Sequence, residues 1–307
     1  MAIAPDILLA VLIDKEDASH KITLQNTNPR FPKREIEIDT SNPTEPVKID
    51  SKTLGTTLLF RSDIEWSNYF KAGYLGHATY VKNPSMQSMK ILINGTVPTG
   101  SGLSSSAAMV VSSLISSLLS YNTPMTLSKR KIVELAMISE RNVGVNSGGM
   151  DQAASVFGEK EKAVFVEFAP ELRGTTVKFP VDDVVFVIGN SLVNADKHDT
   201  APLNYNLRVV ETTLAAEILA RRLVLGELKS RDGFGGTLQE VVQKYFKGKK
   251  GEMEDQLEEF QNVVQEVFKD EGEYTQSELA EVMGLSEKEL VKKYMTRFPG
   301  SSSCMWL

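Results

Sequence analysis

The sequence has 307 residues, 41% apolar and 24% charged, a globular composition that excludes disordered, collagen-like and membrane classes and suggests about two domains. A net charge of −6 advertises no polyanion-binding surface and argues against nucleic acid as a partner. Cys304 stands alone and cannot form an internal disulfide, and three His leave little material for zinc, which suits a reducing, cytoplasmic setting.

The apolar run from Ile7 to Ile13 is too short to span a bilayer, and Asp6 stands where a secretory signal wants positive charge. It reads as a buried strand. DILLAVLI and KITLQN are strand-like, and the polar stretches TNPRFPKRE and DTSNPTEP read as turns. From Ser62 onward a helix is expected, because Trp66, Tyr69, Phe70 and Tyr74 recur at helical spacing. KILING is a short strand that enters a glycine-rich turn. Beyond it, Ala107, Val110, Val111, Leu114, Ile115, Leu118 and Leu119 mark a helix with one apolar face, interrupted by serines and so no membrane span. A second helix is capped by Thr126 or Ser128 and turns Ile132, Leu135 and Ala136 inward. Next come the turn GVNSGG, a short helix and strands around AVFVEF and VVFVIGN. A domain boundary is expected at Pro180–Asp183, where a core strand restarts. Past Arg208 the chain is mainly helical, KGKKGEMEDQLEEF reads as a solvated helix face, and residues 300–307 form an aperiodic tail.

The strongest local signal is VPTGSGLSSSAAMVV, residues 97–111. Gly100 and Gly102 allow a tight turn that presents successive N–H groups. Ser104, Ser105 and Ser106 add hydroxyls where a helix begins, and the helix start contributes partial positive charge. Together they make an anion cradle suited to phosphate. Leu103 stands where a Walker A loop has Lys, and Ser105 where the dinucleotide fingerprint has its third Gly. A serine-capped helix after a glycine turn is the plainer reading of the same residues.

Two carboxylates stand out further on. Glu140 ends the helix KRKIVELAMISE, where the helix dipole opposes a negative charge. It reads either as an exposed Glu steadied by Arg141 or as a magnesium ligand, with a hydroxyl from Ser104–Ser106 as a second. Asp151, in SGGMDQAAS, follows Gly148 and Gly149 and opens a short helix. It reads either as an N-cap or as the group that orients a hydroxyl, or takes its proton, for attack on a γ-phosphate.

PTGSGLSSSAA resembles the second motif of the GHMP small-molecule kinases, which wraps ATP phosphates. SERNVGVNSGGMDQAASVFGEKEKAVFVEF, WSNYFKAG at 66–73 and TAPLNYNLRVVE at 200–211 resemble galactokinases of the fungal type, over about residues 6–298. The resemblance implies an α+β, two-domain kinase. Residues 1–180 would be an ATP-binding domain like ribosomal protein S5 domain 2, lacking its first strand, and 181–299 part of a split βαβ domain. It implies ATP-dependent phosphorylation of α-D-galactose at the C1 hydroxyl. Asp151 would be catalytic, and Gly149 and Tyr205 would contact the sugar. Gly100, Ser101, Gly102, Leu103, Ser104, Ser105 and Ser106 would hold the ATP phosphates, and Ser106 and Glu140 Mg²⁺. Trp66 and Tyr69 would border the adenine, although by spacing alone they are core aromatics.

Two family strings are absent: one like GRVNLIGEHTDY upstream, which supplies a catalytic Arg and sugar contacts, and a glycine-rich third motif downstream. The chain is therefore expected to be a piece of a longer protein or a truncated product, inactive by itself. Two alternatives stand beside the kinase. One is a non-catalytic galactose and ATP sensor that controls a transcriptional repressor. The other is a GHMP kinase for N-acetylgalactosamine or homoserine. The SSSAA run favours the galactokinase reading over the sensor.

Overall fold

Apolar residues at every second position build a sheet with one face toward the core. The computed structural model describes residues 3–17, 19–39, 48–49, 66–81, 87–121, 127–143, 147–168, 171–180, 184–187, 189, 206–229, 235–249, 251–268 and 274–295. The chain divides into two compact units, Met1–His198 and Asp199–Leu307. Residues 181–183 of the expected boundary and the 300–307 tail lie outside the described residues.

In the first unit β1 (Ile7–Asp14), β2 (Lys21–Asn26), β3 (Arg34–Asp39), β4 (Lys48–Ile49) and β5 (Ser88–Gly95) form one mixed sheet in the order β1-β5-β2-β3-β4. β5 lies antiparallel to β1, with Ile7 opposite Gly95, and parallel to β2. Parallel neighbours require a crossover. Here it contains α1 (Ser67–Val81), which lies on the inner face and fully buries Phe70 and Tyr74 against Ile22, Leu24, Met89 and Ile93. The other face leaves Leu8 and Leu12 exposed, as strand alternation dictates. β3 begins inside TNPRFPKRE, expected as a turn: REIEID carries only two apolar residues, and pairing with β2 makes it a strand.

α1 begins at Ser67, after Trp66 in a turn, and residues 62–65 of the expected helix lie outside the described residues. α2 (Ser105–Ser120) touches α1 at Gly73, which faces Val110 and Ser113. Further along, Tyr74 and His77 meet Tyr121 at the far end of α2. The contacts advance together along both helices, so the two run parallel and their starts, Trp66–Tyr69 and Ser104–Ser106, share one end of the layer. Leu119, expected on the buried face of α2, is 54% exposed, because each residue rotates about 100° and carries it past the stripe through Val111, Leu114 and Leu118.

α3 (Lys129–Glu140) is capped by Ser128, whose hydroxyl accepts from the Lys131 N–H at 3.2 Å, and it buries Ile132, Leu135 and Ala136 against α2. The other cap considered, Thr126, lies outside the described residues. Gly76 of α1 marks where the end of α3 meets α2, since a Cβ there would lie 2.6 Å from Ser139 Oγ and 3.4 Å from Leu114 Cδ1. α4 (Met150–Phe157) and a two-stranded sheet, β6 (Lys162–Glu167) with β7 (Arg173–Lys178), complete the unit. Residues 184–187, expected as a strand, are irregular and pair with no described strand; Val185 is 82% exposed, while Phe186 packs on Phe179 just past β7.

The described residues of the second unit are helical: α5 (Leu207–Arg222), α6 (Leu238–Tyr245), α7 (Met253–Val267), α8 (Gln276–Met283) and α9 (Glu287–Leu290). Its main core packs Val210, Leu214 and Ile218 of α5 against Leu279, Leu290 and Tyr294. Capping boxes at Thr275/Glu278 and Ser286/Glu289 start α8 and α9. α7 keeps its charges in water and buries Phe260, as its sequence suggested.

Candidate active site

The glycine–serine loop reaches α2 in a left-handed conformation. Gly100 has φ +70° and Gly102 φ +75°, and Ser104, the N-cap, has φ +60°. The side chain of Ser104 does not cap the helix, which therefore opens with its first N–H groups uncapped by it. The Ser101 hydroxyl donates to the Pro98 carbonyl at 2.7 Å and tightens the turn. Ser104, Ser105 and Ser106 are half-buried, and their hydroxyls have no hydrogen-bond partner among the described residues. No acidic residue occupies the first turn of α2. The result is a set of free donors in a field that favours an anion.

Glu140 is buried, at 2% exposure, which overturns the reading of an exposed carboxylate. The Ser147 hydroxyl donates to its Oε2 at 3.3 Å, and Gln152 Nε2 donates to the same oxygen. These donors offset the desolvation of a charge placed at the wrong end of a helix dipole. Neither was singled out from sequence. The signal was available: a carboxylate closing a helix needs donors, and Ser147 and Gln152 flank the adjacent glycine turn.

Asp151 is the second residue of α4, and the cap position belongs to Gly149, so the capping role does not fall to Asp151. Its carboxylate is partly exposed and has no hydrogen-bond partner among the described residues. Gly149 has φ +92°, a conformation that demands glycine, and a Cβ there would also press on the Met137 side chain, 2.6 Å from its Sδ. Trp66 donates from Nε1 to the Pro32 carbonyl at 3.1 Å and packs on Phe31, while half-buried Tyr69 packs on the α2–α3 cluster. Tyr205 lies outside the described residues.

The fold thus gathers the start of α1, the loop, Glu140 and Asp151 in one unit, with Gln152 tying the last two together. Ser106 and Glu140 are not hydrogen-bonded to each other. Among the described residues no group of three or more His, Cys, Asp or Glu could hold a metal ion, and no helix is long and apolar enough to cross a membrane.

Residues 68–159 match the family of the GHMP kinases N terminal domain. The chain is 37% identical over 311 residues to galactokinase from Candida parapsilosis, covering 97% of this chain and 58% of that protein. It is 35% identical over 170 residues to galactokinase from Candida maltosa, covering 54% of this chain and 70% of that protein. The solved structure of Lactococcus lactis galactokinase complexed with galactose aligns with a TM-score of 0.51 at 20% identity, over 74% of this chain and 52% of that one. The α+β fold is that of the GHMP kinases. The chain spans a little under three fifths of the length of the Candida parapsilosis protein, 58%.

Proposed function

The chain belongs to the galactokinase family, and we propose that the protein moves the γ-phosphoryl group of ATP to the C1 hydroxyl of α-D-galactose, giving galactose 1-phosphate and ADP. The observation that carries this reading is the head of α2, where a left-handed glycine turn, three unengaged hydroxyls and an uncapped helix start converge without a competing acid. Gly100 to Leu103 would wrap the phosphates with backbone N–H groups, and Ser104, Ser105 and Ser106 would add hydroxyl donors. Trp66 and Tyr69, at the same end of the layer, would border the adenine. Gly149, Asp151 and Tyr205 would take the sugar.

In the transfer, the C1 oxygen bonds to the γ-phosphorus as the bond to the β–γ bridging oxygen breaks. The electron pair leaves on ADP, and the hydroxyl proton passes to the Asp151 carboxylate. Asp151 suits that task because no described residue hydrogen-bonds its carboxylate. Orientation of the hydroxyl supplies much of the effect, since phosphoryl transfer is dominated by positioning.

Magnesium favours one or two protein oxygens beside nucleotide phosphates. The unengaged Ser106 hydroxyl and the Glu140 carboxylate, held by the neutral donors Ser147 and Gln152, fit that donor set. Bound there, the ion would offset the phosphate charge. We place the reaction in the cytoplasm, in keeping with the lone Cys304.

The test is ADP release by the protein at the full length of its family, offered galactose, N-acetylgalactosamine and homoserine in turn. Galactose should be the acceptor, and phosphorylation of homoserine but not galactose would overturn the reading.

A further inference from the structure

Glu140 needs more than solvation to stay where it is, since it is buried and closes a helix whose dipole opposes it. Three hydrogen bonds close a ring at its Oε2. Ser147 Oγ donates to it at 3.3 Å, Gln152 Nε2 donates to it, and Gln152 Nε2 also donates to Ser147 Oγ at 3.1 Å. One amide hydrogen goes to the carboxylate and the other to the hydroxyl that also donates to it. Gln152 is fully buried, and its Oε1 has no partner. An apolar side chain would fill the space without stranding an acceptor, so what the amide contributes is its donors.

Gln152 follows Asp151 on α4. Successive helical residues point about 100° apart. One step of the helix therefore leaves the Asp151 carboxylate at the surface and sends the Gln152 amide inward to Glu140. We infer that Gln152, seconded by Ser147, is a positioning residue that locks the Glu140 carboxylate to the helix carrying Asp151. The carboxylate facing the magnesium nucleotide and the one facing the acceptor hydroxyl then move as one body. The inference deepens the function proposed above and rests on that reading.

Calorimetric titration of the 307-residue chain with ADP, with and without magnesium, tests it. In Gln152→Met, which fills the same space without donors, magnesium-dependent ADP binding should weaken about tenfold or more, as for lost outer-shell partners of metal ligands. Metal-free ADP binding should stay unchanged. Ser147→Ala keeps the amide and should show a smaller loss of the same kind, which preserves the test if Gln152→Met does not fold. A purely structural role would weaken binding equally with and without metal, and that result overturns the inference, as does a folded Gln152→Met variant that binds like the parent. If magnesium does not strengthen ADP binding by the parent chain, the proposed site fails and the inference with it. If the parent responds to magnesium and both variants match it, the inference alone fails.

Discussion

Gly73 of α1 rests directly on the backbone of Val110 in α2: a Cβ at Gly73 would stand 2.4 Å from the Val110 carbonyl oxygen and 2.6 Å from Ser113 Cβ. No rotamer relieves a clash with backbone, so adding one methyl must part the two helices whose starts frame the candidate nucleotide site. Gly73→Ala should lower stability by about 1–3 kcal/mol in urea unfolding. Gly148→Ala is the control, because a Cβ there meets nothing within 4 Å, and its midpoint should stay near the parent's. Equal midpoints for Gly73→Ala and the parent would show that the helices separate at no cost.

The Asp151 side chain neither caps α4 nor accepts a hydrogen bond from any described residue, so its replacement should hardly touch the fold. Asp151→Asn should keep stability within about 0.5 kcal/mol, as for an unengaged surface position. Turnover in the family-length protein should fall by about 10²–10⁴, the range for a lost general base. Activity that survives in Asp151→Asn would remove this residue from the transfer.

Gly102 has open space around it, so its demand for glycine is conformational: φ is +75°. Gly102→Val forces a β-branched residue into that region at a cost of about 1–2 kcal/mol, or pulls the loop out of it. Either way the N–H groups lose their alignment. ATP binding, followed by titration calorimetry, should weaken at least about tenfold, with a milder loss in Gly102→Ala. Unchanged affinity in a folded Gly102→Val variant would rule out the loop as the phosphate site.

His77 is fully buried, stacked on Tyr121 at 4.8 Å between centroids, with Tyr74 at its edge and neither ring nitrogen hydrogen-bonded. Burial pushes its pKa down from 6.5 to about 4. The unfolded chain therefore binds this proton first as pH falls, and stability from neutral His77, complete above pH 6.5, drains away toward pH 4. The loss amounts to at most about 3 kcal/mol. His77→Phe should flatten that part of the stability profile relative to the parent, since carboxylates common to both cancel. Parallel profiles from pH 7 to 4 would show that His77 does not contribute.

Local chemistry made several features readable in the sequence. The glycine turn and triple serine ahead of an apolar stripe announced the start of α2. Alternation in DILLAVLI and KITLQN, and Ser128 ahead of α3, were equally plain, because each depends on residues within a turn or a strand of one another. What tertiary structure alone decided lies across such neighbourhoods. REIEID became β3 because β2 offered a partner, while apolar VVFV found none among the described residues and stayed irregular. By sequence Glu140 is exposed or metal-bound, and the fold buries it beneath Gln152 and Ser147; Asp151 has the look of a cap, and Gly149 takes that position. Spacing along a chain sets which side chains share a helix face. Which donors reach a buried carboxylate, and which glycines must stay bare, depend on how closely α1, α2, α3 and α4 pack, and that distance is a property of the folded layer.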